Sequence, residues 1–245
     1  MRDEAPPAGA EGRSELVARL AHEVRGPVST LRGLAGTALA HYEGLSDEER
    51  REFLALIRTE AERLERTVEQ VALAMRLDAG SVRFDIARRD VSAIARSVAE
   101  TQDLQGHPVA IQADDAVEAP VDVSLLTTVL RELLRNAAAF SPPEATIAIA
   151  TRRDGDHAVV EVRDAGPGIP PERRREVFER FAGWRPAGYE TVPGPGLGLS
   201  IARRIVLEHG GSISIEDAPG GGTMLEVRLP GVGARGTGDD DAAHL

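Results

Sequence analysis

Between Ser14 and Asp78 the chain carries two apolar stripes at helical spacing, each too narrow to close a core by itself, and this leaves few folds open. Leu16, Leu20, Val24, Val28, Leu31, Leu34 and Ala38 recur at three- and four-residue steps up to a break at Tyr42-Glu-Gly-Leu-Ser46. Ser46 followed by Asp47, Glu48 and Glu49 reads as an N-cap with Glu49 at the capping-box position. The second stripe is Phe53, Leu56, Ile57, Leu64, Val68, Val71 and Met75. Two long helices joined by a short loop predict an antiparallel hairpin, and the narrow stripes predict a homodimer in which two hairpins make a four-helix bundle.

After Asp78-Ala-Gly-Ser81 the pattern changes to short strands and helices. Strands are expected at Val109–Gln112, Thr146–Ala150, Ala158–Val162, Ser212–Ile215 and Thr223–Leu229, with helices over about 90–104, 122–139, 171–180 and 197–209. The expected class is α+β: a helical hairpin followed by an α/β sandwich of one sheet covered by helices. The boundaries are a flexible lead at 1–13, the hairpin at 14–78, a linker and first strand at 79–89, the α/β domain at 90–230 and a flexible acidic tail at 231–245.

Composition removes several functions. A net charge of −11 and a pI near 5.1 argue against nucleic acid as a partner, since such proteins need a basic face to neutralise phosphates. With no cysteine, disulfides, thiolate metal sites and cysteine nucleophiles are excluded. All 29 basic residues are arginine, so a Walker A loop with its lysine is excluded too. No apolar run approaches the ~20 residues needed to span a bilayer, and the first residues lack a secretory signal pattern, so a cytoplasmic location with no membrane segment is expected.

Four places carry candidate chemistry. His22, flanked by Leu20 and Val24, points away from their stripe, beside Glu23 and just before Gly26 and Pro27. Taken alone, an ordinary surface histidine near a kink explains it as well. Asn136, the chain's single asparagine, follows Glu132 by one helical turn, and amide and carboxylate oxygens on one face suit Mg²⁺ with bound phosphates. A solvated helix face explains that pair equally. Asp164 ends a strand and enters Ala-Gly-Pro-Gly-Ile169, where Gly166 and Gly168 let backbone approach a flat ligand while the carboxylate accepts from an exocyclic amine. Gly194-Pro-Gly-Leu-Gly-Leu-Ser200 opens a helix and offers an anion cradle at Gly194, Gly196, Leu197 and Gly198. The stretch 182–195 before it, rich in Pro and Gly, is a lid if nucleotide binds and a plain loop if not. The remaining histidines lack metal-ligand spacing and read as structural or surface groups.

Taken in order, these residues resemble the catalytic core of two-component sensor histidine kinases over about 14–230. His22-Glu23-x-Arg25-x-Pro27 is similar to the family's H-box, Glu132 to Asn136 to its N-box, and Asp164-x-Gly166-x-Gly168 to its first glycine box. Phe178-Glu-Arg-Phe181 is similar to the F-box and Gly194-x-Gly196-x-Gly198 to the second glycine box. The resemblance implies a dimerisation and phosphotransfer hairpin followed by an ATP-binding domain of the Bergerat type. It implies ATP with adenine on Asp164, Mg²⁺ on Asn136 and Glu132, and phosphates under the lid and the Gly194–Gly198 loop. His22 would take the γ-phosphoryl group, with Glu23 orienting the imidazole and accepting its proton, and would pass it to an aspartate on a separate response regulator. Input would come from a separate sensor protein, or the chain is a fragment of a larger one. Three positions depart from the family pattern: Glu132 replaces a frequent asparagine, Ala139 replaces a basic residue that reaches the phosphates, and Gly26 replaces a Thr or Asn. Ala139 leaves open a catalytically weak dimeric phosphotransfer or scaffold protein, and Glu132 a Bergerat-type ATPase acting by conformational change.

Overall fold

The computed structural model describes residues 8–114 and 116–231, with side chains from Val24 onward, and divides into two compact units, Met1–Arg76 and Leu77–Leu245. The first unit is built on helices α1 (Ala8–Ala40) and α2 (Asp47–Asp78). α1 starts earlier than the Ser14 boundary read from the sequence, so residues 8–13 are helical and not part of a flexible lead; residues 1–7 and the tail from 232 lie outside the described residues. It runs on through Pro27, which is buried, while Thr30 Oγ1 donates to the Gly26 carbonyl at 3.2 Å. The capping box forms as the sequence predicts: the Glu49 N–H donates to Ser46 Oγ at 3.2 Å and the Ser46 N–H donates to Glu49 Oε2 at 2.8 Å. Arg50 closes the turn by donating to the Tyr42 carbonyl at 2.8 Å. Val28, Leu56, Val68 and Met75, all members of the two stripes, stay about half exposed or more in the single chain.

The second unit contains β1 (Ala87–Asp90), α3 (Val91–Thr101), β2 (Val109–Ala113), β3 (Glu118–Val121), α4 (Val123–Phe140), β4 (Ile147–Asp154) and β5 (His157–Arg163), then α5 (Gly198–Glu208), β6 (Ser212–Asp217) and β7 (Thr223–Pro230). Five strands form one sheet in the order β2-β4-β5-β7-β6, with β2 and β4 parallel and the other pairs antiparallel. β1 and β3 make a separate antiparallel ribbon in which Ala87 faces Val121. Strand alternation sends Ile147, Ile149, Val160, Val162, Leu225 and Val227 to one face, where they are buried with Leu126, Leu130, Leu133 and Leu134 of α4 and Ile201 and Ile205 of α5. The opposite face carries ion pairs between strands: Arg152 of β4 donates to Glu161 of the adjacent β5 and, across it, to Glu226 of β7, each at 3.0 Å, and Arg228 of β7 pairs with Asp154 of β4 at 2.8 Å.

Two expectations need correction. The helix expected over 171–180 is instead two single 3-10 turns, Pro171–Arg173 and Glu176–Phe178. The segment is too short to be helical without tertiary support, and what it receives holds it in another shape: Arg174 donates to the Ile169 carbonyl at 3.0 Å, the Ile215 carbonyl at 3.3 Å and Asp217 at 2.5 Å. Strand β3 was not among the expected strands; Pro120 within Glu118–Val121 is tolerated in it because β3 pairs only with β1. Among the described residues no helix is long and apolar enough to cross a membrane.

Candidate active site

Helix α4 positions the site. Its N-cap, Asp122, accepts from the Leu125 N–H at 3.0 Å and the Asp85 N–H at 2.8 Å. The Asp122 N–H in turn donates to His209 Nε2 at 2.9 Å, at the end of α5. With α4 anchored at its start and its leucines buried, its C-terminal half presents Glu132, Asn136 and Phe140 in fixed places.

Three segments converge on that half. The loop after β5 comes first: Asp164 Oδ1 accepts from the Gly166 N–H at 2.8 Å and the Thr223 N–H at 2.9 Å, and the Asp164 N–H donates to the Thr223 carbonyl at 2.9 Å. Burial raises the Asp164 carboxyl above its ordinary pKa, although the Thr223 and Gly166 N–H groups pull the other way. Gly166 is required by contact, since a β-carbon there would stand 2.5 Å from the Phe140 carbonyl oxygen at the end of α4. Gly168 follows in the same loop with a positive φ of 78°.

The second segment is Gly194 to Gly198. Gly196 has a φ of +68°, and a β-carbon on it would lie 2.5 Å from the Ala182 carbonyl oxygen, so the two ends of the 182–195 stretch touch at a position only glycine can fill. Leu197 is buried and precedes α5 as its N-cap, without a side-chain cap bond. The Glu132 carboxylate lies directly against Gly198 at the positive end of α5. Glu132 is buried, and its Oε1 accepts from Arg135 Nη1 at 3.0 Å.

The third is the loop 182–195 itself. The Arg185 guanidinium lies 5.8 Å from the centroid of the Phe140 ring, and the Tyr189 ring lies 5.9 Å from the same ring.

Sequence reading expected Glu132, Asn136, Asp164, Gly166, Gly168, Gly194, Gly196, Leu197 and Gly198 to form one site; the structure brings Gly166 against Phe140 and Gly198 against Glu132, both on the α4 that carries Asn136. It missed Thr223, which holds Asp164 from 59 residues away with no local signal, and Arg185, whose signal is that it is the single cation in 182–195. Of the two residues read as Mg²⁺ ligands, Asn136 is half-buried with no side-chain hydrogen bond among the described residues, whereas Glu132 is engaged by Arg135 and packed on Gly198. His22 and Glu23 lie on α1, with side chains outside the described residues.

Comparison with known proteins matches both units. Residues 12–80 match the His Kinase A (phospho-acceptor) domain, and residues 121–232 match the histidine kinase-, DNA gyrase B- and HSP90-like ATPase family. The signal transduction histidine-protein kinase/phosphatase MprB of Mycobacterium avium (strain 104) is 35% identical over 237 residues, covering 90% of this chain and 44% of that protein. The sensor histidine kinase TmoS of Ectopseudomonas mendocina is 32% identical over 223 residues, covering 89% of this chain and 23% of that protein, so the chain spans less than half of these relatives. The solved structure of the mycobacterial sensor histidine kinase MprB is 31% identical with a TM-score of 0.52, over 60% of this chain and 97% of that one. That of histidine kinase ThkA in complex with response regulator protein TrrA shares the fold at 22% identity and a TM-score of 0.63, over 89% of this chain and 61% of that one. A phospho-acceptor region, an ATPase domain of the kinase, gyrase and HSP90-like kind, and relatives named for the activity place the chain in the sensor histidine kinase family, of which it is a catalytic core.

Proposed function

We propose that the chain is an ATP-dependent protein-histidine autokinase that phosphorylates His22 and passes the group to an aspartate of a separate response regulator. The observation that carries the reading is the convergence of the Asp164–Gly166 loop and the Gly194–Gly198 turn on the C-terminal half of α4, which carries Asn136. Asp164, fixed by two backbone N–H groups, would accept from the adenine amine. The N-terminus of α5, which lacks a side-chain cap, would take the phosphates. Asn136 would be the protein ligand to Mg²⁺, which supplies charge neutralisation on the phosphate oxygens; Glu132, held by Arg135, would act on α5 and not on the metal. In the transfer, a ring nitrogen of His22 attacks the γ-phosphorus, the bond from that phosphorus to the β,γ-bridging oxygen breaks, and ADP leaves. The proton released from the imidazole passes to Glu23.

The working unit would be a homodimer through α1 and α2, because their exposed apolar side chains gain a partner to bury against. The solved complex of ThkA with response regulator protein TrrA supports a response regulator as partner. This portion would act in the cytoplasm, where ATP is available, with input from another segment or a separate sensor. Ala139 favours a second reading, a phosphotransfer scaffold that binds ATP weakly, since it leaves α4 without a cation one turn beyond Asn136.

The test is incubation with γ-labelled ATP and Mg²⁺. Acid-labile, base-stable label is expected in the wild type and absent from His22→Gln, with ATP affinity retained in that variant. Asn136→Asp should lose label through lost Mg²⁺ geometry. Undiminished labelling of His22→Gln would refute the autokinase assignment, and a wild type that binds ATP without labelling would favour the scaffold.

A further inference from the structure

The loop 182–195 carries a single cation, Arg185, and that side chain bonds to both arms of the loop. Nη1 donates to the Ala182 carbonyl at 3.2 Å and the Trp184 carbonyl at 2.9 Å on the incoming arm. Nε donates to the Val192 carbonyl at 3.3 Å and Nη2 to the Gly194 carbonyl at 3.2 Å on the outgoing arm. The planar fork of an arginine can address acceptors on two sides at once, which a lysine ammonium cannot. The same guanidinium lies over the Phe140 ring of α4, and Gly196 sits against the Ala182 backbone where the arms meet.

We propose that Arg185 is a positioning residue that clamps the neck of the 182–195 loop, so that the Gly194–Gly198 turn is offered to nucleotide phosphates in one conformation. The clamp is made wholly of protein groups, one side chain and four carbonyls, and so needs no ligand to form. This proposal rests on the nucleotide-site reading above. A Gly- and Pro-rich loop without such a tie samples many conformations, and each productive binding event must then select a minor one. If loss of the clamp leaves a tenth of the molecules with a competent loop, the apparent Kd for nucleotide rises about tenfold.

Trp184 is the only tryptophan of the chain and adjoins Arg185, so its fluorescence anisotropy reads the order of this loop directly. The experiment uses the whole chain as wild type, Arg185→Ala and Arg185→Lys, first without nucleotide and then by calorimetric titration with Mg-ATP, Mg-ADP and adenosine. The expected result is lower Trp184 anisotropy in both variants before nucleotide is added. ATP and ADP should then weaken alike, about tenfold, with adenosine less affected. Should Arg185→Ala fail to fold, Arg185→Lys, which keeps stem and charge, carries the test. Anisotropy equal to wild type in the folded variants overturns the clamp. So does a loss confined to ATP with ADP unchanged, which would make Arg185 a γ-phosphate ligand instead. If the wild type binds neither nucleotide, the nucleotide-site reading fails, while the anisotropy without nucleotide still decides the clamp.

Discussion

The carboxylate of Glu132 occupies the space that a β-carbon at position 198 would need, so a buried acid on α4 and the first glycine of α5 define each other. Arg135 holds Glu132 in that place through Oε1, and α5 brings no side-chain cap of its own. A carboxylate at the positive end of a helix is favourably placed, which gives Glu132 a structural and electrostatic task. That engagement weighs against Glu132 as a freestanding base for water activation, and so against the conformational ATPase as a reading of this site.

Gly198→Ala should therefore destabilise the second unit by about 1–3 kcal/mol, the usual range for overpacking, toward the lower end because the obstructing atom is the tip of a side chain. Urea unfolding followed by Trp184 fluorescence measures it. Combining it with Glu132→Ala should recover part of the loss, since the obstructing carboxylate is gone; strictly additive losses would show that the two positions do not touch.

Asp164→Asn separates stability from recognition. Burial raises the Asp164 carboxyl above its ordinary pKa, so the folded chain holds that proton more tightly than the unfolded chain does. Its stabilising contribution is then complete below the unfolded carboxyl pKa of about 3.9 and is lost as pH rises through the folded value. The asparagine keeps an acceptor for the Gly166 and Thr223 N–H groups, so its melting temperature at neutral pH should equal or exceed that of the wild type. Its amide cannot supply the ionised acceptor that an adenine amine prefers, and ATP affinity should fall about 10–150-fold, the worth of one hydrogen bond to a charged group. Wild-type affinity should fall on acidification through the raised pKa, and calorimetry at several pH values checks both statements.

His209→Leu should destabilise the second unit by about 1–3 kcal/mol, because the buried Asp122 N–H loses its acceptor. In the native chain Nε2 accepts from that N–H at 2.9 Å, which leaves Nδ1 as the donor to the Ile205 carbonyl at 2.8 Å. The ring also stands edge-on to Phe84 at 5.3 Å. Hydrogen exchange should show faster opening at the start of α4 and the end of α5 together; an effect confined to α5 would contradict the coupling.

Gly26→Thr probes a different reaction. A β-carbon at position 26 meets nothing within 4 Å, so the site has room for a side chain to start. The resemblance implies a Thr or Asn at this position that would orient water for dephosphorylation of the regulator, and a positioned polar group of that kind contributes about 10²–10⁴-fold in rate. Weak loss of label from a phosphorylated regulator is expected with the wild type plus ADP, faster loss with Gly26→Thr, and unchanged phosphotransfer from His22. Rapid dephosphorylation by the wild type that the threonine does not increase would refute the role given to this position.

What the sequence determined by itself is what depends on neighbours along the chain. The helices α1, α2, α4 and α5, the Ser46–Glu49 box and the strand segments of β5 and β7 follow from side-chain spacing and local hydrogen bonding, and all are present. The order of the glycine and asparagine motifs likewise pointed to one site. Tertiary structure decided the rest. It joined β2 to β4 in parallel, admitted Pro120 to a strand, and replaced a helix at 171–180 with two turns tied down by Arg174. It also turned Glu132 onto Gly198, fastened Asp164 to Thr223, and folded the 182–195 loop around Arg185. These contacts join groups far apart along the chain or inside a loop without period, where which donor meets which acceptor is set by how the layers pack and leaves no repeating pattern to read.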